Sequence, residues 1–298
     1  MTGRIELREV GPRDGLQNES ATVPTPTKVA FVERLAAARL PYVEATSFVS
    51  PKWIPQLADG PDVARGLKKR PGTSYAALVP NLKGYEAFRA AGTLDVAAVF
   101  MSATETHNRK NIAKSIGDTF PVLREVVEAA RRDGFRARGY VSVVFGCPYE
   151  GQTSLENVLR VTRELLAMGC EEISLGDTVG YANPRQVREV LARVFELGPP
   201  GRFSLHFHDT RGTALANVLA ALEQGVAVVD SAAGGTGGCP YAPGASGNLA
   251  TEDLLYMLQG MGIETGVDIG AVAAASRALA ATLGRPLPSR YLQAGPPR

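Results

Sequence analysis

Short apolar runs alternate with longer stretches of helical periodicity along almost the whole chain. Strand-like runs fall near Ile5–Val10, Tyr42–Thr46, Ser74–Val79, Val96–Met101, Arg138–Val144, Glu172–Leu175, Phe203–Phe207 and Ala227–Asp230. They are brief, and most carry one or more polar residues among the apolar ones. Between them, helical spacing predicts helices near Thr27–Ala38, Pro61–Lys68, Leu82–Ala91, Gly117–Arg132, Ser154–Met168, Pro184–Glu196 and Thr213–Glu223. Several open on residues suited to capping the free N–H groups of a first turn: Thr25-Pro26, Asn81, Thr153-Ser154 and Asn183-Pro184. About eight strand–helix units is the number that closes a parallel barrel. An open, doubly wound sheet shares the alternation, but the unit count and the lack of a GxGxxG turn after the first strand favour closure. The expected fold is therefore α/β, a (β/α)8 TIM barrel. Helical spacing resumes near Ala250–Gln259 and Ile269–Leu283. The expected organisation is a catalytic barrel over 1–248 and a C-terminal helical extension over 249–298, packed together as a single domain.

Composition narrows the function. The chain has 298 residues, 45% hydrophobic and 21% charged, enough to bury a core without disulfides. A net charge of +2, with no basic run longer than Lys68-Lys69-Arg70 at a helix end, argues against a nucleic-acid partner. Three cysteines without a CxxC spacing exclude a disulfide framework or a structural zinc site and leave any one of them available as a working thiol. No apolar run reaches the roughly 20 residues needed to span a bilayer. MTGRIELREV has no secretory h-region and LQAGPPR is no peroxisomal address, so a cytoplasmic setting is expected.

The residues with chemical potential cluster just after the expected strands, and in a barrel those positions share one rim. Arg13-Asp14 follows the first strand, in a segment that also reads as a turn with a surface ion pair. His206 and His208, two of only three histidines, sit at i and i+2 on the seventh strand and project to one face. Two imidazoles so placed can be adjacent metal ligands, with Asp14 as a carboxylate from across the barrel. Mixed nitrogen and oxygen donors without a thiolate pair suit an octahedral divalent ion. The glycine-rich stretch Gly234–Gly244 carries Cys239 and reads as a mobile rim loop, a phosphate cradle or a plain connector with an inert thiol. Asn248 follows it as a possible further ligand. Asp177 ends the sixth strand, where it can serve the site or cap a helix. Glu44 lies inside the second strand, where a carboxylate needs a partner, and Arg13 is the candidate. His107, in the polar stretch Glu105–Lys110, reads as a surface-loop histidine.

These stretches together resemble the 3-hydroxy-3-methylglutaryl-CoA lyases, a family of metal-dependent barrel lyases and aldolases. The resemblance rests on Glu9–Glu19, Glu44–Trp53, Gly146-Cys147-Pro148-Tyr149-Glu150-Gly151, Ile173–Thr178, Gly237–Ala242 and Gly244–Asn248. It implies a lyase that splits a hydroxyacyl-CoA into acetyl-CoA and acetoacetate with a divalent cation, Mg2+ or Mn2+. It also implies metal ligation by Asp14, His206, His208 and Asn248, and enolate stabilisation by Arg13. Proton transfer would fall to Cys239 with His206, support to Asp177 and Glu44, and a secondary substrate contact to Gln17. A homodimer is implied, in leucine or terpenoid breakdown or ketone-body formation. The chain departs from the family pattern at Ala232-Ala233-Gly234-Gly235-Thr236, usually Ser-Val-Ala-Gly-Leu, and at Arg211, usually Tyr; Val143 stands where some members carry a cysteine. A longer 3-hydroxy-3-alkylglutaryl-CoA is therefore an alternative substrate. Two further functions fit a barrel of this kind: a synthase condensing acetyl-CoA with a 2-oxo acid, and a catalytically silent scaffold.

Overall fold

The computed structural model describes residues 3–238 and 246–296; Cys239 lies outside them. Strands β1 (Glu6–Glu9), β2 (Tyr42–Ser47), β3 (Ser74–Leu78), β4 (Val96–Ser102), β5 (Arg136–Ser142), β6 (Glu172–Asp177), β7 (Phe203–Phe207) and β8 (Val228–Ser231) pair in parallel and in sequence order. β8 returns to β1 in the register Glu6↔Val228 to Glu9↔Ser231 and closes the barrel. Helices α1 (Thr25–Ala37), α2 (Gly60–Gly66), α3 (Leu82–Ala91), α4 (Glu105–Ile112), α5 (Ile116–Arg132), α6 (Leu155–Met168), α7 (Pro184–Val194) and α8 (Ala214–Glu223) fill the connections. Each of the longer ones turns an apolar stripe to the wall, as Val187, Val190, Leu191 and Val194 do on α7. No helix of the described residues is long and apolar enough to cross a membrane.

The expected strands and helices are all present, with ends shifted by a few residues. Asn81 and Asn183 cap α3 and α7 by accepting the N–H of Gly84 at 3.0 Å and of Gln186 at 3.1 Å. Thr25 does not cap: Pro24 holds that position and the Thr25 hydroxyl donates to Asp59 Oδ2 at 2.6 Å. Ser154 sits at the N-cap of α6 without a side-chain bond.

Within the barrel the helix that periodicity missed is α4. Its sequence, Glu-Thr-His-Asn-Arg-Lys-Asn-Ile, has no apolar stripe, so periodicity cannot reveal it. Tertiary polar bonds hold it instead. Buried Asn108 accepts Ser102 N–H at 3.0 Å and donates to Lys114 O at 3.0 Å and Thr119 Oγ1 at 2.9 Å. His107 is accordingly a buried helical residue and not the surface-loop histidine expected.

Beyond the barrel lie α9 (Thr251–Gly260), α10 (Ile269–Leu283) and the short α11 (Arg290–Ala294). Leu254, Leu255, Leu258, Val272 and Leu279 belong to the same buried apolar cluster as the barrel wall. α10 packs on α1, and the N–H of Asp268 donates to Ala38 O at 2.9 Å.

Glu9 fastens the start of the last βα connection to the barrel. Its Oε1 accepts the N–H groups of Gly11 at 2.8 Å and Ala233 at 2.9 Å, while Oε2 meets the Thr251 hydroxyl at 2.7 Å. Burial pushes its carboxyl from an ordinary 4.5 up to about 8, against these donors. A raised folded-state value means that the folded protein holds the proton that the unfolded chain releases. The contribution is complete below about pH 4.5 and is lost as pH rises through about 8. Glu9→Gln keeps every bond, since an amide oxygen can take both N–H groups while its nitrogen meets Thr251. The melting temperature of the parent protein is therefore expected to fall relative to Glu9→Gln between pH 5 and 9. A constant difference across that range would show that Glu9 is ionised throughout.

Candidate active site

At the end of β1 the chain makes a π-helical turn, Gly11–Gly15, in which Val10 O accepts the N–H groups of Arg13 at 3.1 Å and Asp14 at 2.7 Å. Such wide turns recur at functional sites because they redirect side chains. Here the turn brings Arg13 and Asp14 into the barrel mouth, both buried, which removes the surface ion-pair reading. The Arg13 guanidinium bonds Asp14 Oδ1 at 2.5 Å and Glu44 Oε2 at 3.0 Å, and lies 5.5 Å above the Tyr140 ring. Glu44 also accepts the Tyr140 hydroxyl at 2.8 Å. The expected Arg13–Glu44 pairing is present. Gln17 donates to Asp14 Oδ1 at 3.0 Å.

His206 on β7 and His208 just beyond its end have ring centroids 5.2 Å apart, while Phe207 between them packs on Phe145. The segment after the glycine loop returns beside them: Leu249 N–H donates to Phe207 O at 3.0 Å, and His208 and Asn248 form a bridge. Ligand atoms of Asp14, His206 and His208 lie within 4.8 Å of one another. Asn248 donates to Thr236 O at 3.0 Å, and among the described residues its Oδ1 is buried without a partner, as is His208 Nδ1. Orphaned buried acceptors beside a carboxylate and two imidazoles are what a divalent cation would satisfy, so this donor set fits a metal.

The electrostatics agree. Burial alone would raise the Asp14 carboxyl, but Arg13 and the two histidines hold it down at about 2. Burial, with His206 adding to it, lowers His208 to about 3. Both groups are thus unprotonated near neutrality, the state required of ligands.

Gly247 approaches the loop's other limb so closely that an added Cβ would stand 1.8 Å from Gly237 O. Gly247→Ala must push Asn248 away from His208. We expect at least tenfold weaker Mn2+ binding in that variant by titration, and unchanged binding would show that the two limbs part without moving Asn248.

Asp177 is fully buried and its oxygens accept the N–H groups of Tyr181 at 2.8 Å and Ala182 at 3.1 Å, tying down the turn after β6. Burial raises its carboxyl to about 6. Among the described residues it is absent from the lining of a 590 Å³ cavity that opens over Arg13, Asp14, Gln17, Tyr140, His206 and His208. His107 also faces this cavity; its Nδ1 lies 2.7 Å from Ser102 Oγ, and burial lowers its pKa to about 4.

Three polar residues central to the site were missed in the sequence. Arg138 on β5 bonds Tyr140 Oη at 2.5 Å, Glu172 Oε1 at 2.7 Å, Ser204 Oγ at 2.8 Å and Asp230 Oδ1 at 2.5 Å. Arg138 and Tyr140 stand at i and i+2 on β5, which was a readable sign of a shared face. Asp230, inside β8 after two valines, was a second such sign.

The HMGL-like family profile matches residues 4–279. The chain is 50% identical over 290 residues to hydroxymethylglutaryl-CoA lyase YngG of Bacillus subtilis, covering 97% of both. It is 53% identical over 266 residues to the mitochondrial hydroxymethylglutaryl-CoA lyase of Gallus gallus, covering 89% of each. Among solved structures, the Bacillus subtilis HMG-CoA lyase superposes with a TM-score of 0.97 at 49% identity, over 98% of both chains. An Acinetobacter baumannii HMG-CoA lyase in complex with coenzyme A and 3-methylmalate superposes with a TM-score of 0.94 at 42% identity, over 99% of this chain and 97% of that one. With a profile match over most of its length and relatives half identical along nearly all of it, the chain belongs to the HMGL-like family.

Proposed function

We propose that the protein is a metal-dependent carbon–carbon lyase that cleaves (S)-3-hydroxy-3-methylglutaryl-CoA to acetyl-CoA and acetoacetate. The observation that carries this reading is the convergence of Asp14, His206 and His208 beside the buried Arg13 guanidinium at the mouth of one cavity. The coenzyme A complex of the Acinetobacter baumannii lyase supports an acyl-CoA substrate. Asp14, His206, His208 and Asn248 would hold the cation, Mg2+ or Mn2+, which when bound supplies Lewis acidity to substrate oxygens.

In the reaction the tertiary hydroxyl gives up its proton as its oxygen becomes the ketone of acetoacetate. The C2–C3 electron pair passes into the acetyl thioester as an enolate, and C2 then takes a proton. Arg13, fixed by Glu44 and Tyr140, presents a permanent positive charge to the enolate oxygen. Glu44 positions Arg13. We assign the proton movements to Cys239, with His206 as a ligand of the cation. Asp177 supports the site through the turn it anchors, and Gln17 through Asp14.

The case for a longer acyl chain rests partly on Arg211. That guanidinium donates to Val179 O at 2.9 Å and Gly180 O at 3.2 Å and lies 4.7 Å above Tyr181, so it serves the β6 loop, which supports the parent substrate. We further read residues 1–248 as the catalytic barrel and 249–298 as its helical extension within one domain, and the protein as a cytoplasmic homodimer.

The test is acetoacetate release from 3-hydroxy-3-methylglutaryl-CoA with Mg2+, with an EDTA control and a Cys239→Ser variant. EDTA is expected to abolish release, with recovery on added Mg2+, and the variant to lose on the order of 10²-fold or more in kcat. Absence of release from folded, Mg2+-loaded protein would refute the substrate assignment.

A further inference from the structure

We propose that Asp230 is a positioning residue for His206: it holds the imidazole proton on Nδ1 and so leaves Nε2 unprotonated toward Asp14 and the metal position. The inference rests on the metal-site reading above and assigns a role to a buried carboxylate that the proposed reaction does not itself use.

The geometry runs along one line of side chains. His206 and Asp230 are direct neighbours across the β7–β8 ladder. His206 Nε2 points toward Asp14, 3.8 Å from its Oδ2, while Nδ1 lies 3.4 Å from Asp230 Oδ2. That second contact is an ion-pair distance rather than a well-formed hydrogen bond, yet this buried Nδ1 has no other partner among the described residues. Asp230 is itself held from behind. Arg138 donates to its Oδ1 at 2.5 Å and Ser174 Oγ donates to its Oδ2 at 3.0 Å. All four side chains are buried. An ionised carboxylate can only accept, so the histidine nitrogen facing it is the one that carries hydrogen. The opposite nitrogen then keeps its lone pair. Carboxylate partners of this kind fix the ring orientation and tautomer of ligating histidines.

The arrangement makes Asp230→Asn informative. Arg138 only donates, so the asparagine must turn its oxygen to Arg138 and its NH2 toward Ser174 and His206. Nδ1 then becomes an acceptor, the proton moves to Nε2, and the metal-facing lone pair is lost. Arg138 keeps Glu172 as its counter-charge at 2.7 Å, and the size of the side chain and its bond to Arg138 are retained, so the fold is kept.

Two readouts test this. With three histidines in the chain, long-range proton–nitrogen spectra of 15N-histidine-labelled, metal-free protein at about pH 9 report each neutral tautomer directly, and a His206→Gln sample assigns the signal. His206 is expected as the Nδ1–H form in the parent and the Nε2–H form in Asp230→Asn. Mn2+ titration followed by electron paramagnetic resonance is expected to show about 10–100-fold weaker binding in the variant. An Nε2–H form in the parent protein would overturn the proposal by itself, whether or not the variant folds. So would a folded variant that binds Mn2+ within about twofold of the parent. Failure of the parent to bind Mn2+ at all would strike the metal-site reading instead, and the parent's tautomer would still be decided.

Discussion

Arg13→Met is expected to lower kcat by on the order of 10³-fold while leaving KM and Mn2+ affinity within a few-fold of the parent. The split follows from where charge appears. In the bound thioester the carbonyl oxygen is neutral and any donor or water serves it adequately. As the C2–C3 bond breaks, that oxygen becomes an enolate oxygen inside a mouth with few mobile dipoles. A charge already in place requires no reorganisation at that moment, and Arg13 is held by three groups: Glu44, Asp14 and the face of Tyr140. Interactions made chiefly in the transition state appear in kcat. Methionine fills the space of the Arg13 stem without a charge and leaves Asp14 free for metal. It also leaves buried Glu44 without its cation, but Tyr140 still donates to it at 2.8 Å, so the local fold has a partner left. Arg13→Lys keeps a charge but cannot span Asp14 and Glu44 together, and an intermediate kcat is expected. A kcat for Arg13→Met within tenfold of the parent, in protein that binds Mn2+ normally, would remove Arg13 from the reaction.

The same side chains show what a single sequence can disclose. Closure of the barrel was legible because the βα units number about eight and no GxGxxG turn follows the first strand; the alternation alone fits an open sheet as well. Asp14, His206 and His208 were legible because residues at strand ends share one rim whatever the intervening sequence. Asn248 was legible only as a position: the return of 246–250 beside β7, which brings its amide to His208, is a tertiary pairing with no local signal. α4 was hidden for the converse reason, since buried hydrogen bonds from Asn108, rather than an apolar stripe, stabilise it. The fate of Asp177 also needed the structure. Both a helix cap and a site acid fit a carboxylate at a strand end, and only its bonds to Tyr181 and Ala182 show that it ties down the turn. Arg138 and Asp230 each stood inside a strand as a charge in need of a partner, as Glu44 did, but their pairing joins positions 92 apart and has no local signal.

That buried pair carries the second large effect. Arg138 is the largest fully buried side chain of the described residues, and it faces both Asp230 and Glu172 at the barrel floor. Removing one member of a buried ionic network costs about 3–5 kcal/mol, because the remaining charge stays desolvated without a counterpart. For Arg138→Met this predicts a drop in melting temperature on the order of 10 °C. Glu172 keeps Arg8, at 2.8 Å, so most of the penalty falls on Asp230, whose only other partners are Ser174 and His206 among the described residues. Combining Arg138→Met with Asp230→Asn removes the stranded charge. If desolvated charge is the source of the loss, the double variant melts above Arg138→Met alone, although it has lost more bonds. If the double variant melts lower still, the packing and hydrogen bonds of the Asp230 side chain outweigh its stranded charge at the floor. Calorimetry of the four proteins separates the two, since coupling between the substitutions is positive in the first case and near zero in the second.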